Sequence, residues 1–259
     1  MTTAVLGPGA AETLRRYACS ATLIGLDFDG VLAPIVPDRD RARVSPETRR
    51  VLAAVARRYP CVVVSERRLD DLQPRLAGIP LRAVRGNFGN EPAPPGRRPP
   101  IRVREWAETL RLRLALQDGV FVEDKGFSIA VHYREAASRS RARTEIADIA
   151  SGFRGARIID GVLAMSILPV RAANKGSALH ELRRALGCTR AVYVGDDDTD
   201  EDAFTSASPR RLVAIRVGRA ARTAARFRLE GQADVVTLLR RLTALRPTQL
   251  RPGAGQGTY

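Results

Sequence analysis

Asp27 and Asp29 stand one residue apart where an apolar run, Leu23 to Leu26, gives out. Residues i and i+2 of a strand share a face, so both carboxylates can point into the crevice above a sheet. Open parallel sheets bind ligands in that crevice, at the carboxyl ends of their strands. Two neighbouring carboxylates repel and raise each other's pKa unless a cation lies between them. A polar turn on Asp29-Gly30 would explain the pair if it stood alone. A second cluster, Gly195 to Phe204 (GDDDTDEDAF), follows another buried run in the same manner. Acids in a helix's first turn suit its dipole, which accounts for Asp200 to Asp202 but not for Asp196 and Asp197 before them. The glycine and glutamate spacing of a calcium-binding EF-hand is absent. Oxygen donors at two strand ends suit a hard divalent cation, Mg²⁺ foremost.

Chemistry on a phosphate in so acidic a site needs a balancing positive charge. Only two of the 43 basic residues are lysines, and one of them, Lys175, opens a helix in Asn-Lys-Gly-Ser. A lysine is a compact point charge suited to that task, whereas a surface lysine is the ordinary alternative. The GxxxxGK of a Walker loop is missing. Ser65 closes the run Cys-Val-Val-Val-Ser, where a hydroxyl and the amides after it can hold a phosphate oxygen. A strand-terminal serine is also a common turn residue.

Elements to position these groups follow from periodicity. Strands are expected at 22–28, 61–65 and 81–85, with helices from Ser45-Pro46 to about 58 and over 69–76. This βαβαβ order predicts a parallel sheet. EPAPPGRRPP, 91–100, reads as a linker. A helix over 103–117, a hairpin about 124–126, a helix over 138–151 and strands at 156–159 and 162–168 form an α+β insertion. The first style resumes with a helix from Lys175 to about 186, a strand at 191–194, a helix from Thr199, the strand Leu-Val-Ala-Ile-Arg-Val and a helix over 232–244. The expected fold is α/β: a Rossmann-like parallel-sheet core from 1–90 and 170–245, a cap from 91–169, and a disordered tail over 246–259.

The 259 residues carry a formal charge of +15. Arginines are scattered along the chain rather than gathered with aromatics, so composition bias accounts for the charge better than a nucleic-acid surface does. A non-catalytic nucleic-acid-binding protein on this fold is the competing reading. No stretch reaches the roughly 20 apolar residues of a membrane helix, and no secretory leader is expected. Cys19, Cys61 and Cys188 lie far apart and fit a reducing cytoplasm.

Taken together, DFDGVLAPI, VVVSERRL, NKGSAL and GDDDTDEDAF resemble the four motifs of the haloacid dehalogenase-like phosphohydrolases. GNFGNE and VEDKGFSIAVHYR are similar to signatures of their trehalose-phosphatase branch. The resemblance covers roughly 23–245. It implies Asp27 as nucleophile forming an aspartyl phosphate, and Asp29 as general acid and then base. Ser65 would hold the phosphoryl group and Lys175 would neutralise it. Asp27, Asp196 and the Asp29 backbone carbonyl would hold Mg²⁺, supported by Asp197 and Asp200, the latter orienting Lys175. Glu123 and Lys125 of the cap, with Arg67, Gly86 and Asn87 of the core, would contact the sugar. Phe88 replaces the branch's signature histidine, Ser166 replaces a cap glutamate, and Glu66 stands where glycine is usual. The implied enzyme is a Mg²⁺-dependent sugar-phosphate phosphatase on trehalose 6-phosphate, or on another disaccharide or pseudo-disaccharide phosphate. Phe88 would stack on a less polar ring face. The expected partner is a phosphorylated sugar, with no nucleic acid or membrane, in a monomer or weak oligomer.

Overall fold

A computed structural model describes residues 2–161 and 163–246. Apart from Arg246, the expected disordered tail lies outside the described residues.

The chain opens with β1 (Thr3–Ala4), α1 (Ala11–Ala18), β2 (Thr22–Leu26), α2 (Pro46–Ala56), β3 (Cys61–Val64), α3 (Leu69–Leu76) and β4 (Ala83–Arg85). Then come α4 (Ile101–Arg113), β5 (Phe121–Asp124), β6 (Ile129–His132), α5 (Arg139–Ser151), β7 (Ala156–Gly161) and β8 (Ala164–Pro169). It closes with α6 (Lys175–Ala185), β9 (Arg190–Gly195), α7 (Glu201–Phe204), β10 (Leu212–Val217), β11 (Phe227–Leu229) and α8 (Ala233–Leu245). The strands form a sheet of order β1-β11-β10-β9-β2-β3-β4 and a second of order β5-β6-β8-β7. Every pairing in the first sheet is parallel, and every pairing in the second is antiparallel.

A parallel sheet covered on both faces needs strands that are apolar throughout, and β2, β3 and β9 meet that need. Ile24, Leu26, Val63, Val192 and Val194 pack under α2 and α8 through Leu52, Val55, Leu238 and Leu239. Leu23, Val62, Val64 and Tyr193 pack on the other side against Leu179 and Leu182 of α6 and Phe204 of α7. Ser45 caps α2 by accepting from the Thr48 amide, with Pro46 at the first helical position, as the sequence predicts. From β2 the chain winds outward to β3 and β4, then returns on the other side as β9. The β2–β9 seam is therefore a topological switch point, where α/β sheets open a crevice at the strand ends.

The second sheet buries one face. Val122, Ile129, Val131, Met165 and Ile167 pack against Val103, Trp106 and Leu110 of α4 and Ile146 of α5. Period-2 alternation turns Glu123, Ala130 and Ser166, cross-strand neighbours in register, to the opposite face. No helix among the described residues is long and apolar enough to cross a membrane. All three cysteines are free thiols.

The sequence reading omits β1, α1 and β11. The two strands have two and three residues, too short to show an alternation. The helix expected at 103–117 begins earlier and ends at Arg113. The helix expected from Thr199 is a 3₁₀ turn over Asp198–Asp200 followed by the single turn of α7.

Candidate active site

Asp27 continues the β2 ladder, its amide donating to the Val194 carbonyl at 3.0 Å. Its side chain is thereby fixed above the β2–β9 seam, almost wholly buried. Phe28 points down into the core beneath the sheet. The loop then folds back on itself, the Leu32 and Ala33 amides both donating to the Phe28 carbonyl.

Gly30 makes this loop possible. It lies in the left-handed region (φ 66°), and an added Cβ would sit 1.9 Å from Asp196 Oδ2. The Asp196 carboxylate thus occupies the space a side chain would fill. Gly30→Ala is expected to combine the backbone penalty with this clash, at more than about 1 kcal/mol. A fall of about 2–4 °C or more in melting temperature is the expected reading. A variant melting within 1 °C of the parent would mean that Asp196 is not held there.

Lys175 is the first residue of α6, and the Asn174–Ser177 capping box sets the direction of that turn. Its ammonium is fully buried, donating to Asp27 Oδ2 at 2.6 Å and to Asp200 Oδ1 at 2.9 Å. Asp200 is saturated: Oδ1 also accepts from the Tyr193 hydroxyl at 2.8 Å, and Oδ2 accepts from the Asp196 and Asp197 amides at 2.9 and 3.0 Å. It therefore locks Lys175 and the backbone under Asp196 in place. Oxygens of Asp27, Asp196 and Asp200 come within 4.8 Å of one another. With Asp200 committed to internal bonds, Asp27 and Asp196 carry the oxygens left for a cation.

The charges are frustrated. Burial raises Asp27 well above its ordinary value; Lys175 works against this, and Asp200 and Asp196 add to it. Burial, then Asp200, lifts Asp196 to about 8. Burial and then Glu66 lift Asp197 to about 6. One buried lysine does not offset so many carboxylates, and a bound divalent cation would relieve them all. The donor chemistry therefore fits a hard divalent ion held by oxygen.

A cavity of about 150 Å³ lies in front of these groups. Asp27, Asp29, Ser65, Asp196 and Asp197 line it from the core, and Lys125 of the β5–β6 turn and Ser166 of β8 line it from the cap. Ser65 is fixed by the loop after β4: its carbonyl accepts from the Phe88 amide at 2.9 Å, and its Oγ accepts from the Arg67 amide at 3.3 Å. Glu123 faces an adjoining cleft. Its carboxylate binds His132 at 2.9 Å and Arg39 at 2.8 Å. Burial opposes its ionisation, but His132, Lys125 and Arg39 outweigh that and hold it down at about 2.

Four expected sugar contacts are placed elsewhere. The Arg67 guanidinium is buried and clamps Asp29 through Nε at 2.7 Å and Nη2 at 2.8 Å, and it also reaches Asp71 at 2.8 Å and the Arg39 carbonyl at 2.7 Å. Four of its five donors are spent inside the protein. Phe88 is buried against Ile159 and Leu168, wedged between core loop and cap sheet, and does not line the cavity. Asn87 donates to the Lys125 carbonyl at 2.8 Å and accepts from Ser128 Oγ at 2.6 Å, so it pins the cap hairpin. Gly86 supplies close approach, since a Cβ there would meet the Leu69 nitrogen at 2.4 Å. Asn87 and Phe88 both have left-handed backbones (φ 51° and 60°), held by these contacts.

The sequence reading also omits Arg39, His132, Arg134 and Glu66 as site residues, although all four line the cavity. For His132 a signal existed: it is two residues from Ala130 on a strand whose alternate positions face the core.

The trehalose-phosphatase family profile matches residues 25–233. The chain is 30% identical to probable trehalose-phosphate phosphatase 3 of Oryza sativa subsp. japonica, over 92% of this chain and 75% of that one. It is 38% identical to a trehalose-phosphate phosphatase of Mycobacterium marinum, over 92% of this chain and 66% of that one. The chain thus spans just under two thirds of the length of that mycobacterial relative. In fold it resembles the C-terminal domain of the trehalose-6-phosphate phosphatase of C. albicans, with a TM-score of 0.77 at 17% identity, covering 94% of this chain and 98% of the other. On the match of its profile and relatives, the chain belongs to the trehalose-phosphatase family of phosphoric monoester hydrolases.

Proposed function

We propose that the chain is a cytoplasmic Mg²⁺-dependent phosphatase that hydrolyses trehalose 6-phosphate to trehalose and phosphate through an aspartyl phosphate on Asp27. The observation that carries this reading is the meeting of Asp27, Lys175 and Asp196 at the β2–β9 seam, in front of a cavity that Ser65 lines. Asp27 and Asp196, with the Asp29 backbone carbonyl, would hold the ion. When bound, it would screen the charge between carboxylate and phosphate.

The remaining steps belong to the protein's own groups. An Asp27 carboxylate oxygen attacks phosphorus and the bond from phosphorus to the sugar oxygen breaks. Asp29 gives a proton to that oxygen, then takes one from the water that cleaves the acyl phosphate and frees Asp27. Ser65 donates a hydrogen bond to the phosphoryl group and Lys175 balances the charge on its oxygens. In the described conformation both Asp29 oxygens are held by Arg67. Proton delivery therefore requires Asp29 to swing out of that pair. Arg67 keeps Asp71 and the Arg39 carbonyl when it does, so no guanidinium is stranded without partners.

A second reading keeps the chemistry and changes the sugar to another disaccharide or pseudo-disaccharide phosphate. It is favoured by Ser166, whose short side chain stands on the cap face of the cavity. Phosphate release from a panel of sugar phosphates with Mg²⁺ separates the two. Trehalose 6-phosphate is expected to exceed glucose 6-phosphate in kcat/KM by about tenfold or more, the size of one good polar contact. Equal turnover of the two would defeat the trehalose assignment.

A further inference from the structure

Glu66 lines the cavity and has no part in the proposed chemistry. It follows Ser65 directly, so the backbone that positions the hydroxyl also aims this side chain into the cavity. Its backbone carbonyl accepts from Lys125 Nζ at 3.3 Å, which ties this turn to the cap. Its carboxylate Oε2 accepts only a long bond, 3.4 Å, from Ser166 Oγ. Among the described residues, Oε1 accepts no hydrogen bond.

A carboxylate that no cation screens does not bind a phosphate, because like charges repel. It can serve a hydroxyl, which is a donor. Lys125 lines the same cavity as a buried cation and offers the matching donor to a hydroxyl oxygen. An acceptor and a donor side by side are what a diol on a sugar ring requires. The weak Ser166 bond is easily exchanged for a sugar hydroxyl.

We propose that Glu66 is a specificity-determining residue that accepts a hydrogen bond from a hydroxyl of the leaving sugar, so that the site selects polyhydroxylated leaving groups. This rests on the phosphatase reading above and adds to it the group that reads the sugar. A site built to pair a hydroxyl rejects analogues lacking it, because its own polar group is then left unpaired.

The test compares the parent with Glu66→Gln and Glu66→Gly on the best sugar phosphate of the panel and on p-nitrophenyl phosphate, whose leaving group has no ring hydroxyl. The ratio of the two kcat/KM values is expected to fall about 10- to 100-fold in Glu66→Gly and less in Glu66→Gln. Inhibition of aryl phosphate hydrolysis by free trehalose is expected to weaken in parallel. Glu66→Gln preserves shape and the Ser166 contact, so it gives the reading if the glycine variant folds poorly. A ratio within about twofold of the parent, including equal loss on both substrates, overturns the proposal. So does a parent enzyme that prefers the aryl phosphate to every sugar phosphate. Failure of the underlying reading shows separately, as Asp27→Asn retaining parental aryl phosphate turnover.

Discussion

Asp27→Asn is expected to abolish turnover while raising the melting temperature of the metal-free protein. The first half follows from chemistry. A carboxamide cannot attack phosphorus, and losses of about 10⁴-fold or more are usual when a nucleophile is removed. The second half follows from electrostatics. Burial, with Asp200 and Asp196, raises Asp27 above its ordinary 3.8 despite the pair with Lys175. An acid whose folded pKa exceeds its unfolded value binds more protons folded than unfolded. Its stability contribution therefore falls as pH rises above about 4. Asparagine is neutral and removes that loss, while Lys175 retains Asp200 at 2.9 Å. In chelator at pH 7 the variant should melt about 2–4 °C above the parent, for about 1 kcal/mol of relief. The gap should close as pH falls toward 4, where the parental carboxyl takes up its proton. Added Mg²⁺ should raise the parent more than the variant, because the variant has lost a ligand oxygen. Melting curves across pH 4–8, with and without chelator, check all of this. A variant that melts below the parent at pH 7 in chelator would show that the acidic cluster is not strained and that Asp27 is a stabilising partner of Lys175.

The opposed signs, activity down and stability up, mark the kind of residue that sequence reasoning finds well. Asp27 and Asp196 were legible because each breaks a local rule: an acid ends a strand buried on both faces. Lys175 was legible because the chain holds only two lysines. Central strands and long helices were legible because packing on two faces leaves a continuous apolar run, and amphipathic packing leaves a period. The short edge strands β1 and β11 leave neither. The sugar face was the least legible part. Whether Asn87, Phe88 or Arg67 meets a ligand depends on where the cap docks and on partners far along the chain. Arg67 finds Asp29 across 38 positions, and Phe88 finds Ile159 and Leu168 in the cap. No spacing in the sequence encodes such meetings. Glu66 is the converse case. It appeared only as a departure from a motif, and its setting against Ser166 and Lys125 gives that departure a chemical sense.

Lys175→Met is expected to cost both turnover and stability, with a pH dependence that separates it from an ordinary core substitution. The ammonium is fully buried between Asp27 and Asp200. Burial alone would lower its pKa, but Asp200 and then Asp27 outweigh burial and hold it well above 10.5. It is therefore charged throughout the physiological range, and its contribution is fully present below about 10.5 and is lost as pH rises from there through its raised folded value. Methionine fills a similar volume and leaves Asp200 and Asp27 facing each other without a cation. Breaking a buried pair in this way costs about 3–5 kcal/mol. At about 2–4 °C per kcal/mol this lowers the melting temperature by about 6–20 °C at pH 7. The deficit should shrink toward pH 4, because protonation of Asp27 removes part of the repulsion. Simple loss of packing would give a deficit independent of pH. Turnover should fall about 10³-fold or more, since the charge that balances the phosphoryl oxygens is gone. Lys175→Arg should not restore it. Nζ sits 2.6 and 2.9 Å from its two carboxylates, in a space sized for a compact ammonium, and a planar guanidinium needs a wider one. An arginine variant with parental activity would mean that only net charge matters at this position, and that the close contact of Lys175 with Asp27 does not position the nucleophile.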